Sequence, residues 1–322
     1  MKRRTFLAST GIGLATATAG CTSQATWSRA RETGSDTTTT TSEGGQTETK
    51  QTPEQTLIEA GDTAERTIGT GSLEERGLRK THHVTFGNPT EEPHQGTITV
   101  SKADETVFEE SVEFEANASI AASLTDLNTY TARMTLPELD ATEQVTIDPS
   151  QFSCNVTRTT VSIQDDDTLD SMSISTRMAC PGVVTETAPA DGLASHTLGD
   201  DPIPADTGKH SHTLMLRNPS DETWTTQILV ENESIVQFDG VYTVEPESTV
   251  LIILSESGTY SLWMSVLETE AIETEQVTPG NFDCNESSTR AEINAVGELT
   301  ANTVSTLMAC NTETNSTNES SQ

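Results

Sequence analysis

Cysteine is the residue type whose spacing in this chain points most directly to chemistry. Apart from Cys21, the chain has Cys154, Cys180, Cys284 and Cys310, and each of the last two follows its counterpart by 130 positions. Four thiols allow three pairings, but a duplicated unit would duplicate its own bond. We therefore predict two disulfides, Cys154–Cys180 and Cys284–Cys310. A metal site is disfavoured because these cysteines have no Cys-x-x-Cys spacing and no neighbouring histidine.

Histidine offers a second candidate chemistry. On a strand, His210 and His212 would project to one face, at a spacing that can hold a metal ion. Only His82 and His212 recur between the two copies, however, and the sequence offers no third ligand. We expect these histidines to lie at the surface or at strand ends. We predict no metal and no cofactor.

Motifs that would assemble a catalytic site are missing from the sequence. There is no Gly-x-Ser-x-Gly elbow, no His-Glu-x-x-His, no phosphate-binding glycine loop and no dinucleotide fingerprint. We therefore predict no catalytic residues and a protein that is not an enzyme.

Two kinds of surface residue are candidates for recognition or modification. Trp263 could be an exposed binding aromatic, or it could pack at the edge or between domains; we expect Trp224 to pack. Asn155 and Asn285 are sequons at equivalent positions just after a cysteine, which makes them the preferred glycosylation candidates.

The same pattern of residues occurs twice in the chain, at an offset of 130 positions. We therefore expect a repeated structural unit to position these residues. The recurring residues of the first copy include His82, Asn88, Pro89, Tyr130, Met134, Phe152, Cys154, Asn155, Met178, Ala179 and Cys180. A unit of roughly 100 residues is the size of one small domain, so the repeat predicts two domains. We place them at 76–180 and 209–310, with a linker over 181–208 because that segment is rich in Pro, Gly and Asp.

Short strand-like segments separated by turn signals follow one another through the second repeat, and no amphipathic helix lies between them. This pattern predicts an all-β fold of two tandem antiparallel sandwiches. In one segment Tyr260, Leu262, Met264 and Val266 alternate with more polar residues, which predicts that these four side chains face the core.

The two ends of the chain have other compositions. Residues 1–20 look like a secretory signal peptide of the twin-arginine type, with Arg3 and Arg4 followed by a short apolar run. Thr18 to Cys21 resembles a lipobox, in which Cys21 would carry the lipid. Residues 21–75 are rich in Thr and Ser and poor in apolar residues, so we predict a disordered stalk there. We predict a disordered tail over residues 311–322.

Acidic residues dominate the charge of the chain. Asp and Glu number 50 against 17 Lys and Arg, giving a formal charge of −33. Such a surface repels phosphates, so we predict no nucleic-acid partner. The excess of carboxylates, the scarcity of Lys and the abundance of Thr resemble secreted proteins of salt-loving archaea.

Together, these features resemble haloarchaeal lipoproteins that carry immunoglobulin-like domains. The signal, the Thr-rich stalk and the segments 217–220, 243–246 and 258–260 carry the resemblance. It implies a lipid-anchored glycoprotein on the extracellular face of the cell membrane that binds a protein or glycan partner or builds the envelope. The alternative is a solute-binding lipoprotein of a transport system. The chain lacks the Tyr two residues before the second cysteine that antibody domains have.

Overall fold

A computed structural model of the protein describes residues 55–103 and 105–310. The predicted signal residues Arg3 and Arg4, the lipidation candidate Cys21, most of the stalk and the tail lie outside these residues. Within them the fold is two tandem β-sandwiches, each made of two five-stranded sheets. The all-β, tandem-sandwich prediction is confirmed.

The first sandwich contains ten strands and a single helical turn, α1 (Ser72–Glu75), between its second and third strands. Its strands are β1 (Thr56–Ile58), β2 (Thr63–Ile68), β3 (His82–Asn88), β4 (His94–Lys102), β5 (Glu105–Phe114), β6 (Ala118–Leu124), β7 (Tyr130–Leu136), β8 (Ala141–Ile147), β9 (Thr157–Ile163) and β10 (Leu169–Ser175).

The second sandwich repeats this plan at the same offset. Its strands are β11 (Val183–Ala188), β12 (Leu193–Leu198), β13 (His212–Arg217), β14 (Trp224–Asn232), β15 (Ile235–Val244), β16 (Thr249–Leu254), β17 (Tyr260–Val266), β18 (Ala271–Val277), β19 (Ser287–Ile293) and β20 (Leu299–Ser305). Short 3₁₀ turns occur at Pro137–Leu139, Pro149–Gln151, Ala205–Thr207 and Pro279–Phe282.

The sheet order is identical in the two copies. The first sandwich has sheets β1-β5-β4-β7-β8 and β10-β9-β3-β6-β2; the second has β11-β15-β14-β17-β18 and β20-β19-β13-β16-β12. Most strand pairs are antiparallel, but β1, β2 and β3 pair in parallel with β5, β6 and β9. Parallel neighbours need long crossover connections, and these strand pairs are far apart in sequence.

The central strands match the immunoglobulin arrangement. β4 lies between β5 and β7, as strand C lies between C′ and F, while β3 pairs with β6, as B pairs with E. Tyr130 and Tyr260 begin β7 and β17, and their hydroxyls donate to the backbone carbonyls of Asp126 (3.2 Å) and Glu256 (2.9 Å). This is the geometry of a tyrosine corner, which is typical of such sandwiches.

The alternation read from the sequence sets the core. Tyr260, Leu262, Met264 and Val266 are all buried, as are their counterparts in β7, so the prediction for this strand is confirmed. Each sandwich has its own apolar cluster, in which Phe152 or Phe282 packs near the corner tyrosine.

Both predicted disulfides are present. Cys154 bonds Cys180 and Cys284 bonds Cys310, with Cα–Cα distances of 5.6 and 5.7 Å. Each bond joins the turn before the ninth strand of its sandwich to the segment that follows the tenth.

The predicted domain boundaries need correction. The segment 181–208, expected to be a linker, contains β11 and β12, and the segment 21–75, expected to be a stalk, contains β1 and β2. These strands pair at sheet edges, and only one residue of each is buried. Few residues recur there; Gly69 and Gly199 are one matched pair, both with φ +115°.

Candidate binding site between the two sandwiches

The two sandwiches meet through residues 69–80, which we call the covering segment and which connect β2 to β3. Its backbone and side chains contact the outer face of sheet β11-β15-β14-β17-β18, where Asp239, Val241 and Trp263 lie. Val241 is buried and packs with the apolar cluster of the first sandwich, not with that of its own. The two domains therefore share a contact between the covering segment and the face that carries Asp239, Val241 and Trp263. We call this contact the joint.

Arg79 and Asp239 form the polar centre of the joint. Both side chains are fully buried, and Arg79 Nε lies 3.0 Å from Asp239 Oδ1. The guanidinium also donates to the carbonyls of Phe152, Val184 and Asp239 and to the hydroxyl of Thr185. Burial lowers the pKa of Arg79, while the Asp239 carboxylate opposes that shift. Arg79 thus bonds to three parts of the protein: Phe152 of the first sandwich, strand β11 and strand β15 of the second.

Asp239 has further hydrogen-bond donors. The Leu78 backbone N–H donates to Oδ2 at 2.8 Å, and Gln227 Nε2 donates to Oδ1 at 2.9 Å. Gly77, with φ +93°, allows this approach, because a Cβ there would lie 2.6 Å from Asp239 Oδ2. The buried charge is therefore both paired and hydrogen-bonded, as burial of an ion pair requires.

Trp263 lies beside this centre, on the same outer face. The ring is half-buried, and the guanidinium carbon of Arg76 sits 5.0 Å from its centroid in a cation–π contact. The sequence left binding and packing both open for Trp263; the structure gives it a packing partner and also places it in the wall of a pocket. Trp224, by contrast, packs against the second core and donates from Nε1 to Ser220.

The pocket beside Trp263 has a volume of about 270 Å³ and lies at the edge of the joint. Its apolar wall comes from Leu127 of the first sandwich and from Trp263, Leu267 and Ile272 of the second. Ser265 also lines it and is only 5% exposed. Among the described residues, the Ser265 hydroxyl has no hydrogen-bond partner.

Charged groups around the pocket are already engaged. Lys102 Nζ lies 2.5 Å from Glu270 Oε1, which forms an ion pair across the two sandwiches. Burial alone would raise the pKa of Asp126, but hydrogen bonds from the backbone and hydroxyls of Thr70 and Ser72 outweigh it and lower that pKa. The three charged residues that line the pocket, Lys102, Asp126 and Glu270, are therefore already engaged in contacts within the protein.

The recurring histidines are structural. His82 and His212 are the first residues of β3 and β13, as expected for a strand-end position, but they are buried rather than at the surface. Both ring nitrogens of His82 contact the hydroxyls of Thr157 and Thr159, at 2.9 and 3.0 Å. His212 makes the equivalent contacts. Burial lowers the pKa of both imidazoles to about 4. Within residues 55–103 and 105–310, no cluster of three or more metal-ligating side chains occurs.

The glycosylation candidates occupy positions that do not fit a glycan. Asn155 and Asn285 are buried, and their Nδ2 atoms, which would carry the sugar, donate to the carbonyls of Met178 and Met308. Their Oδ1 atoms accept from the backbone N–H of the same two methionines. Both recur because each holds the segment beside a disulfide, a contact that a glycan on Nδ2 would disrupt.

The joint was missed from the sequence because its residues are not repeated. Arg79 and Asp239 correspond to Lys209 and Glu109 of the other copy, and Trp263 corresponds to Arg133. A signal was nevertheless available in the pair Arg133 and Trp263. An outward-facing position that is charged in one copy and aromatic in the other indicates that the face is covered in only one of the two copies.

No family model and no curated protein sequence matches this chain. None of the helices in the described part of the chain is long and apolar enough to cross a membrane.

Proposed function

We propose that this protein is a non-enzymatic, lipid-anchored cell-surface protein that uses its two immunoglobulin-like sandwiches to bind a partner at the extracellular face of the membrane. The observation that carries the proposal is the buried joint at Arg79 and Asp239. Two modules that act only as spacers need no fixed orientation, whereas a shared binding surface requires one. The joint supports such a surface because Trp263 and a pocket lie at its edge.

The N-terminal sequence supports the location. Arg3 and Arg4 fit an export signal, and Cys21 follows small residues, as a lipidated cysteine does. Disulfides form in oxidising compartments, so the two bonds agree with export. The formal charge of −33 supports a high-salt setting, where ions screen the repulsion between carboxylates.

Membrane fractionation tests the anchor. Full-length protein carrying Cys21→Ser should move from the membrane fraction to the medium, because lipid would no longer hold it. The neighbouring substitution Ser23→Ala is the matched control and should leave the protein in the membrane fraction. Retention of the Cys21→Ser protein in the membrane would contradict lipid anchoring.

The alternative of a solute-binding lipoprotein for a transport system receives less support. Such proteins close two lobes around their ligand by hinge motion. Here the contact between domains is already buried and holds a fully paired charge, so hinge motion would have to expose Arg79 and Asp239. That exposure opposes the motion.

A further inference from the structure

We propose that Asn117 carries an N-linked glycan, which the exporting cell attaches to its side-chain amide. Residues 105–310 contain Asn-x-Ser/Thr sequons at Asn117, Asn155, Asn232 and Asn285. The proposal rests on the export that is part of the proposed function, because sequons are modified in secreted proteins. The burial and the hydrogen bonds of each amide decide which sequon can react.

Asn117 lies in the turn between β5 and β6, and its side chain is exposed. Backbone groups hold this turn: the Asn117 N–H donates to the Thr90 carbonyl at 3.3 Å, and the Ala118 N–H donates to the Glu115 carbonyl at 3.1 Å. The amide that caps the Glu115 carbonyl is that of Asn88, not that of Asn117. A sugar on Asn117 Nδ2 would therefore leave the hydrogen bonds of the turn intact.

The other three sequons are less accessible. Asn155 and Asn285 are buried, and so are Thr157 and Ser287, whose hydroxyls complete these sequons and contact the recurring histidines. Asn232, the last residue of β14, is half-buried. A sequon whose amide and hydroxyl are both buried is closed to a transferase once the domain has folded.

The backbone of the turn does not by itself account for an asparagine. Asn117 has φ +59°, a left-handed conformation in which Asn is enriched. The matching turn of the second sandwich has Glu247 at φ +56°, so the same turn forms without asparagine. Ser119, which completes the sequon, is half-buried, and its hydroxyl lies 2.8 Å from that of Thr63 at the protein surface.

The modification is a group transfer to the Asn117 amide. A bond forms between Nδ2 and the anomeric carbon of the sugar, while the bond from that carbon to a phosphate oxygen of a lipid-linked sugar donor breaks. The lipid phosphate leaves with the bonding electron pair, and Nδ2 gives up one proton. The co-reactant is thus a lipid-phosphate-linked glycan, which the cell supplies.

The turn of Asn117 lies at the end of the first sandwich that is remote from the joint. β6 begins directly after Asn117 and runs for seven residues, about 20 Å, towards Thr125. The Thr125 carbonyl accepts from the backbone N–H of Leu73 in the covering segment. A glycan on Asn117 would therefore leave the joint uncovered.

Peptide mass mapping of the full-length protein, purified from its native cells, tests the proposal. Trypsin cleaves after Lys102 and Arg133, so residues 103–133 are released with Asn117 in their only sequon. After reduction, the next peptide is 134–158, with Asn155 in its only sequon. We expect the first peptide to be heavier by the mass of one or more sugars and the second to have its unmodified mass.

Three variants locate the modified atom. Ser119→Ala removes the sequon but keeps Asn117, and it should abolish the added mass. Ser119→Thr is the matched control and should retain the added mass, because threonine also completes a sequon. Asn117→Gln removes the acceptor and should abolish the added mass as well. Thermal unfolding of each variant confirms that it is folded.

An unmodified 103–133 peptide from the parent protein would overturn the proposal. Added mass that persists in Ser119→Ala or Asn117→Gln would also overturn it, because the sugar would then be attached to another residue. Protein carrying Cys21→Ser is still exported and should carry the same glycan. If the peptide is unmodified while Cys21→Ser releases the protein, the glycan is refuted and the anchored module stands.

Discussion

The outer faces of two equivalent sheets differ in both composition and burial. In sheet β1-β5-β4-β7-β8 that face carries polar and charged residues, which are exposed or half-buried: Thr97, Thr99, Glu109, Ser111, Arg133 and Thr135. The same positions in sheet β11-β15-β14-β17-β18 carry Gln227, Leu229, Asp239, Val241, Trp263 and Ser265, nearly all of them buried. One scaffold, unchanged in topology, thus serves as a solvent-facing surface in one copy and as an interface in the other.

The residues that recur are those that satisfy a specific contact inside one sandwich, whereas the outward-facing residues differ with the neighbours of each copy. The corner tyrosines, the histidines and the asparagines beside the disulfides recur because each satisfies a contact inside one sandwich. The residues of the joint do not recur because each sandwich has different neighbours.

The largest expected effect comes from removing the arginine of the joint. Arg79→Ala leaves Asp239 buried without its counter-charge and several carbonyls without donors, which should lower the free energy of unfolding by about 3–5 kcal/mol. Urea unfolding measures the loss, and small-angle scattering should show an increased radius of gyration as the sandwiches separate. Lys209→Ala, at the exposed counterpart of Arg79, is the control and should change stability by less than about 0.5 kcal/mol. Equal effects of the two variants would show that the joint does not hold the domains.

The two disulfides provide a second comparison, because only the first lies close to a residue that bonds to Arg79. Each closes a loop with a sequence separation of 26, so replacing either pair with serine should cost about 3.5 kcal/mol in the chain-entropy account. Cys154→Ser/Cys180→Ser should also loosen the joint, since Phe152, two residues before Cys154, accepts from Arg79. Cys284→Ser/Cys310→Ser should leave the radius of gyration unchanged. Identical scattering from both double variants would contradict the asymmetry.

The recurring histidines provide a region where the copies should behave alike. Their folded pKa of about 4 lies below the unfolded value of 6.5, so the unfolded chain binds more protons between those pH values. The stabilisation is complete above pH 6.5 and is lost as pH falls towards 4, by roughly 3 kcal/mol per histidine. His82→Gln and His212→Gln should each flatten the dependence of stability on pH by a similar amount. Urea unfolding at pH 4, 5, 6 and 7 measures this; unchanged slopes would contradict it.

The smallest expected effect comes from exchanging the residues at one matched position of the two outer faces, Ser111 and Val241. Val241→Ser gives the second face the residue of the first, and the lost burial should cost about 2 kcal/mol. Ser111→Val, the reverse change on the first face, should be close to neutral because that position is half-exposed. Thermal unfolding compares the two variants. A larger loss from Ser111→Val than from Val241→Ser would reverse the assignment of the faces.

Sequence reasoning predicted what repeats and missed what does not. The disulfide pairing, the tandem sandwiches and the inward set of β17 followed from residues present in both copies. The edge strands β1, β2, β11 and β12 were missed because strands with little buried surface carry a weak apolar pattern. For the candidate site, only Trp263 was identified beforehand. Arg79, Asp239 and Ser265 come together through contacts distant in sequence, and no local pattern encodes those contacts.

The covering segment of the first sandwich differs from the matching segment before β13. A segment that docks on the next copy's sheet is a head-to-tail contact, and such contacts can continue without limit into a fibre. Here the second sandwich carries Gly208 and Lys209 where the first has Leu78 and Arg79, and the first sandwich offers a charged face where the second has Trp263. The contact between the sandwiches is therefore not built for repetition, because the segment before β13 lacks the arginine and the first sandwich lacks the face that this contact joins.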